Sequence, residues 1–221
     1  MGDVIYGRPH SKAGLDILCY NFMPVVDWTR TDLEFEWNDG SLALKFDFDA
    51  FAAFDLFMME RKNAKNDYTN EQFERAQKYY FRNLDTSQAK SRLIDTIVKG
   101  LPGRTSEAYT MESFKQAVEV YNDVTEKEVR ENLYDFIRQI APIAEGHGVY
   151  LAIHPDDPPI SLLGLPRIVS TASDVRKILG TYLYFSKNDE NDFKVNGKSR
   201  YFYTYPIYVY FLNFRMLSFA T

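Results

Sequence analysis

Residues 148–159 read Gly148-Val149-Tyr150-Leu151-Ala152-Ile153-His154-Pro155-Asp156-Asp157-Pro158-Pro159. An unbroken apolar run meets a His, two Asp and three Pro. This pattern predicts a buried strand that stops at a rigid, polar tip. In barrels of alternating strands and helices, catalytic groups sit at strand ends. The stretch therefore constrains both the fold and the place of any chemistry. His154, at the tip, is a candidate ligand for a divalent metal, since neutral imidazole suits Mn²⁺, Fe²⁺ or Zn²⁺. The alternative is a satisfied structural His. Asp156 and Asp157 either tune that His or simply form a turn before Pro158.

A second strand candidate, Ile17-Leu18-Cys19-Tyr20-Asn21-Phe22-Met23, ends at Pro24. Its near-continuous apolar character fits a strand buried on both faces, as in parallel sheets. Cys19 then reads as a small core residue. Asn21 breaks the pattern and is either a structural hydrogen-bonder or aimed at a ligand. Residues 25–49 read as a long loop or hairpin turning at Asn38-Asp39-Gly40. Residues 47–123 read as mostly helical. Thr69 and Gln72 have capping-box spacing ahead of Phe73, Ala76, Tyr80 and Leu84. A stripe at Leu93, Ile94, Ile97 and Val98 is broken by Gly100, Pro102 and Gly103. Thr110 suits a cap. Val129, Leu133, Phe136, Ile137, Ile140 and Ile143 mark a longer helix, kinked at Pro142 and stopped by Gly146 and Gly148. Thr171 and Asp174 open a short helix carrying Val175, Ile178 and Leu179. Strand, helical excursion, helix, strand and helix is the order of a parallel α/β unit.

Beyond Gly180 the composition changes: 13 of the last 42 residues are Phe or Tyr, and helical periodicity is lost. Residues 205–212 form a β-prone run. Residues 180–221 read as an aberrant, aromatic-rich tail rather than a genuine pair of strands.

A net charge of -5 argues against nucleic acid or an anionic membrane as the main partner, because both select clustered Lys and Arg. The single Cys excludes an internal disulfide and suits a reducing, cytoplasmic setting. Arg167, in Gly164-Leu165-Pro166-Arg167, is either a carboxylate clamp or a solvated loop residue. Trp28 and Arg30 suit a lid over a polar substrate, or plain loop packing. His147, between two glycines, suits a helix end, and His10 falls in an irregular N-terminus.

Several segments carry a family likeness. Cys19-Tyr20-Asn21-Phe22-Met23-Pro24-Val25, Asp27-Trp28-Thr29-Arg30-Thr31-Asp32-Leu33, Phe51-Ala52-Ala53-Phe54-Asp55, Gly100-Leu101-Pro102-Gly103, Arg130-Glu131-Asn132-Leu133, Ile153 to Pro159 and Gly164 to Ser170 together resemble the mannonate dehydratases. The matches follow family order from about residue 17 to 179. The resemblance implies an α/β fold, a TIM barrel of the xylose-isomerase-like kind. Residues 1–179 would form a partial barrel domain with a helical insertion over about 47–123. It implies dehydration of D-mannonate to 2-keto-3-deoxy-D-gluconate in glucuronate catabolism, with Mn²⁺ or Fe²⁺ as cofactor. His154 would be a metal ligand, and Asn21, Trp28, Arg30, Asp156 and Arg167 would line the substrate site. The family's later Cys, His and Asp ligands and its catalytic Tyr and Asp find no counterpart: no His or Cys follows residue 154. The chain alone is therefore expected to be inactive or nearly so. Other readings are a non-catalytic piece that binds or forms a homo-oligomer, and a metal-dependent sugar isomerase on the same scaffold.

Overall fold

A computed structural model describes residues 14, 16–98, 110–186 and 207–209. Along the chain the elements are β1 (Ile17–Tyr20), β2 (Asp32–Glu36), β3 (Leu42–Lys45), α1 (Phe48–Phe54), a π-helical turn (Asp55–Met59), a 3-10 turn (Ala64–Asp67), α2 (Asn70–Asn83), α3 (Ser87–Val98), α4 (Met111–Glu119), α5 (Glu126–Glu145), β4 (Tyr150–Ile153), α6 (Ala172–Ser186) and β5 (Ile207–Val209). They fall into two units. The first is Met1–Phe22, Lys127–Pro155 and Ile168–Thr221; the second is Met23–Glu126 and Asp156–Arg167. The expected break at residues 100–103, His10, and most of the aromatic run at 205–212 lie outside the described residues.

In the first unit the two apolar runs pair in parallel, from Ile17 against Tyr150 to Tyr20 against Ile153. β5 adds on the other side of β4, also parallel, giving the order β1-β4-β5. Parallel neighbours need a crossover, and α5 belongs to it. Its apolar positions Val129, Leu133, Ile137, Ala141 and Ala144 recur every three or four residues and are buried, the pattern of a helix with one face against a core. Tyr20 packs edge-on against Phe136 of this helix, with ring centroids 5.3 Å apart. The helix passes through Pro142 and ends at Glu145, with Gly148 at φ +67°.

The structure corrects two expectations here. β1 is not buried on both faces, and Cys19 is exposed rather than a core residue. The reason is alternation: Leu18 and Tyr20 turn to the covered side, while Ile17 and Cys19 turn to the other. Central β4 is buried throughout Leu151–Ile153. Nor does α6 stop near Leu179. It runs through Gly180 to Ser186, so its end is not set where the composition changes.

The start of α6 is tightly capped. The Thr171 hydroxyl accepts from the Asp174 amide at 3.2 Å, and Asp174 Oδ2 accepts from the Thr171 amide at 2.9 Å and its hydroxyl at 2.8 Å. Arg130 of α5 donates to Asp174 Oδ1 at 2.6 Å. Burial alone would raise the Asp174 pKa, but Thr171 and Arg130 outweigh it and hold the carboxyl below the usual range. A carboxyl depressed in the fold contributes stability above its unfolded pKa and loses it as pH falls through the folded one. Asp174→Asn is thus expected to destabilise the protein at about pH 6 and to converge on wild type well below about pH 4. Urea unfolding followed by far-ultraviolet circular dichroism checks this. An equal deficit at both extremes would contradict it.

The second unit begins with the β2–β3 hairpin, whose turn is closed by Trp37 N to Ser41 O at 2.8 Å with Gly40 at φ +81°. The helices then follow their caps. Asp47 accepts from the amides of Asp49 and Ala50 to start α1. Thr69 and Gln72 form the reciprocal box that starts α2, at 3.2 and 2.8 Å. Thr110 and Ser113 do the same for α4. Phe51, Phe54 and Phe114 form an aromatic centre around which Ala52, Ala53, Leu93, Ile97, Val98 and Val118 close. Leu162, Leu163 and Leu165, distant in sequence, join the same cluster.

Below α1 the helix widens into the π turn, and Asp55 enters the interior with no exposure. Its carboxylate takes both arms of Arg61, each at 2.9 Å, and the Tyr68 hydroxyl at 2.8 Å. Arg61 also reaches Asp67 at 2.5 Å. Burial alone would lower the Arg61 pKa; the two carboxylates reverse that and hold the guanidinium charged. Tyr68 is pushed well up by burial and then by Asp55, which keeps its proton in place as a donor.

Candidate functional site

Polar residues singled out by sequence gather in two places, one in each unit. In the first unit, β4 ends directly before His154 and β1 directly before Asn21. The His154 amide donates to Tyr20 O at 2.9 Å, which extends the parallel register by one step. Asn21 and His154 thus follow the same, carboxyl ends of adjacent strands, with Asn21 exposed and His154 8% exposed. His154 Nδ1 lies 2.6 Å from Pro155 O. A carbonyl only accepts, so Nδ1 carries the hydrogen and Nε2 is the nitrogen with the lone pair. This is the tautomer a metal-binding imidazole needs. Among the described residues, however, no three His, Cys, Asp or Glu converge to hold a metal ion. One imidazole does not make a selective site, so the described residues do not by themselves fit Mn²⁺ or Fe²⁺. His147 is exposed just past the end of α5, as its glycine neighbours suggest.

In the second unit the segment 27–30 is tied to the Asp156-Asp157 pair. Arg30 meets Asp157 with both arms, at 3.2 and 2.5 Å, and donates to Thr29 O at 2.9 Å. The Thr29 amide donates to Asp157 O at 3.2 Å, and the Trp28 amide to Asp27 Oδ1 at 2.9 Å. Asp156 faces Arg167, whose Nη1 is 3.8 Å from Oδ1. Arg167 Nη2 donates to Asp27 O at 3.0 Å. Trp28, Arg30, Asp156 and Arg167 therefore belong to one network, through Asp27 and Asp157.

The solvated-loop reading of Arg167 is corrected: the residue is only 6% exposed. Its Nε and Nη1 donate no hydrogen bond among the described residues, the 3.8 Å approach of Asp156 being an ion pair too long for one. Burial pulls the Arg167 pKa below its usual value, only partly countered by Asp156, Asp27 and Asp157. A buried guanidinium with two donor groups unused can donate to an anionic acceptor. Sequence marks Asp157 only as a tuner of His154 or a turn former, and does not single out Asp27. The available signal was the doubled Asp: two adjacent carboxylates on a rigid tip each take a different Arg.

Comparison with known proteins finds relatives over most of the chain. The D-mannonate dehydratase (UxuA) family matches residues 7–189. The mannonate dehydratase of Marinomonas sp. (strain MWYL1) is 48% identical over 170 residues, 77% of this chain and 43% of its own length. That of Chromohalobacter salexigens is 51% identical over 172 residues, 78% of this chain and 43% of its own length. The crystal structure of mannonate dehydratase from Streptococcus suis serotype 2 aligns with a TM-score of 0.48 and 30% identity, covering 79% of this chain and 35% of that one. The chain thus spans less than half the length of the curated relatives it matches. It is a mixed α/β protein, and no described helix is long and apolar enough to cross a membrane. By the extent of the match and the identity of its relatives, the chain belongs to the D-mannonate dehydratase family.

Proposed function

We propose that this chain is part of an enzyme that removes water from D-mannonate to give 2-keto-3-deoxy-D-gluconate, on a TIM barrel in which β1 and β4 are neighbouring staves. The carrying observation is Arg167, buried beside Asp156 with Nε and Nη1 unused. A sugar acid offers acceptors for both donors, a carboxylate oxygen for one and a further carboxylate or hydroxyl oxygen for the other. Holding the carboxylate also bears on the reaction. The C2 proton is poorly acidic beside a negative carboxylate, and a guanidinium on that group offsets the charge that grows as the proton leaves. Asp156 and the Asp27 carbonyl orient the fork, while the Arg30–Asp157 pair fixes the segment bearing Trp28. His154 would be one ligand of a divalent ion such as Mn²⁺ or Fe²⁺, whose other ligands the described residues do not supply.

Binding is the direct test, because it does not require turnover. Calorimetric titration of the full chain is expected to detect D-mannonate and not D-mannose, which lacks the carboxylate. Two charge-assisted hydrogen bonds are each worth about 1.5–3 kcal/mol, so Arg167→Met is expected to weaken D-mannonate binding about 100-fold or more. Equal binding of acid and aldose by the wild type would instead favour a sugar isomerase.

A further inference from the structure

Arg167 is carried by a turn whose geometry asks for a cause. Leu162 and Leu165 bridge, with Leu165 N donating to Leu162 O at 2.8 Å. The two central residues both have positive φ: Leu163 at 56° and Gly164 at 71°. That combination marks a tight turn normally filled by Asn-Gly or Gly-Gly. A Leu at the first position is strained, and such strain persists only where the surroundings fix it. Here the Leu163 side chain is buried in the aromatic core of the second unit. The other side of the turn rests on charge. A methyl group on Gly164 would lie 2.9 Å from Arg61 Nη1, 3.6 Å from its Cζ and 3.7 Å from Asp67 Oδ2. A guanidinium is ordinarily the yielding end of a flexible side chain. This one is pinned by Asp55 at two points and by Asp67 at a third.

From this we infer that Arg61, clamped by Asp55 and Asp67, is a positioning residue for Arg167: it forms the stop against which Gly164 closes, and so sets where the Arg167 fork points. The inference rests on Arg167 as the carboxylate clamp only for its functional meaning. The mechanical coupling stands or falls separately. Leu165 and Pro166, which join the turn to Arg167, are both buried, so a displacement at Gly164 has no loose linker in which to dissipate.

The experiment uses the full 221-residue chain, labelled with ¹⁵N-arginine, with the Arg167 Nε–H cross-peak identified by its loss in Arg167→Lys. Gly164→Ala is expected to move that cross-peak and to weaken D-mannonate binding about tenfold while the protein stays folded. Asp67→Asn, which frees one of the Arg61 anchors at a half-exposed position, is expected to do the same to a smaller degree. Arg75→Lys, in a surface pair with Asp49, is expected to do neither. A merely scaffolding role would lower the melting temperature and leave the cross-peak and the affinity unchanged. A folded Gly164→Ala with the cross-peak in place and affinity within about twofold of wild type overturns the inference. If Gly164→Ala does not fold, an unmoved cross-peak in Asp67→Asn overturns it. If the wild type fails to bind D-mannonate but Gly164→Ala still moves the cross-peak, the positioning role stands and the sugar-acid reading falls.

Discussion

Asp55→Ala is expected to lower the unfolding free energy of the second unit by about 3–5 kcal/mol, the usual cost of removing one partner from a buried ion pair. Asp55 is fully buried and accepts from Arg61 twice and from Tyr68 once. Its loss leaves the Arg61 guanidinium, 11% exposed, with only Asp67, and leaves the Tyr68 hydroxyl without that acceptor. The cost is the desolvation of groups whose compensation has gone. A matched control is Asp49→Ala. It breaks the Arg75 pair, whose Arg is 47% exposed, and is expected to cost under about 1 kcal/mol. Both tryptophans, Trp28 and Trp37, lie in this unit, so urea unfolding followed by their fluorescence reads it selectively. Equal midpoints for the two variants would refute the ranking.

Phe54→Ala is expected to cost about 3–5 kcal/mol by leaving a cavity. The ring is completely buried, with Phe51 and Phe114 centroids at 6.4 and 6.3 Å. Phe51 shares capped α1 with it and Phe114 sits on separately capped α4, so the gap does not close by a small local shift. Phe54→Leu keeps most of the volume and is expected to cost markedly less. The same fluorescence measurement separates the two, with an unchanged denaturant slope if the loss lies in the folded state. A Phe54→Ala protein as stable as Phe54→Leu would place the packing elsewhere.

Local signals announced the elements well. The spacing of Thr69 to Gln72 and of Thr171 to Asp174, the Asn38-Asp39-Gly40 turn and the apolar stripe of α5 each carry their structure within one or two turns of chain. The strand before His154 was legible for the same reason, since a central strand of a parallel sheet is apolar at every position. Cys19 shows the limit. An edge strand and a central strand carry the same residues here, and only the arrangement of neighbours decides which face is covered. His154 in the first unit, and Asp156 and Arg167 in the second, stood out by type and context. The pairing of Arg30 with Asp157 and of Arg167 with the Asp27 carbonyl did not, because these residues lie more than a hundred positions apart. The π turn at Asp55 was unreadable for another reason. Its helix looks uninterrupted in sequence, and the buried carboxylate is explained only once Arg61 and Tyr68 have folded back onto it.

The pairing of β1 with β4 in strict parallel register has a kinetic corollary. Those strands sit at the two ends of an intervening stretch of about 130 residues, and closing a loop of that length costs entropy before any contact repays it. Short-range helices such as α2 and α3 face no such delay. Slow, late formation of this strand pair follows from topology alone, and during that interval the unpaired edge of Ile17–Tyr20 is open to the wrong partner.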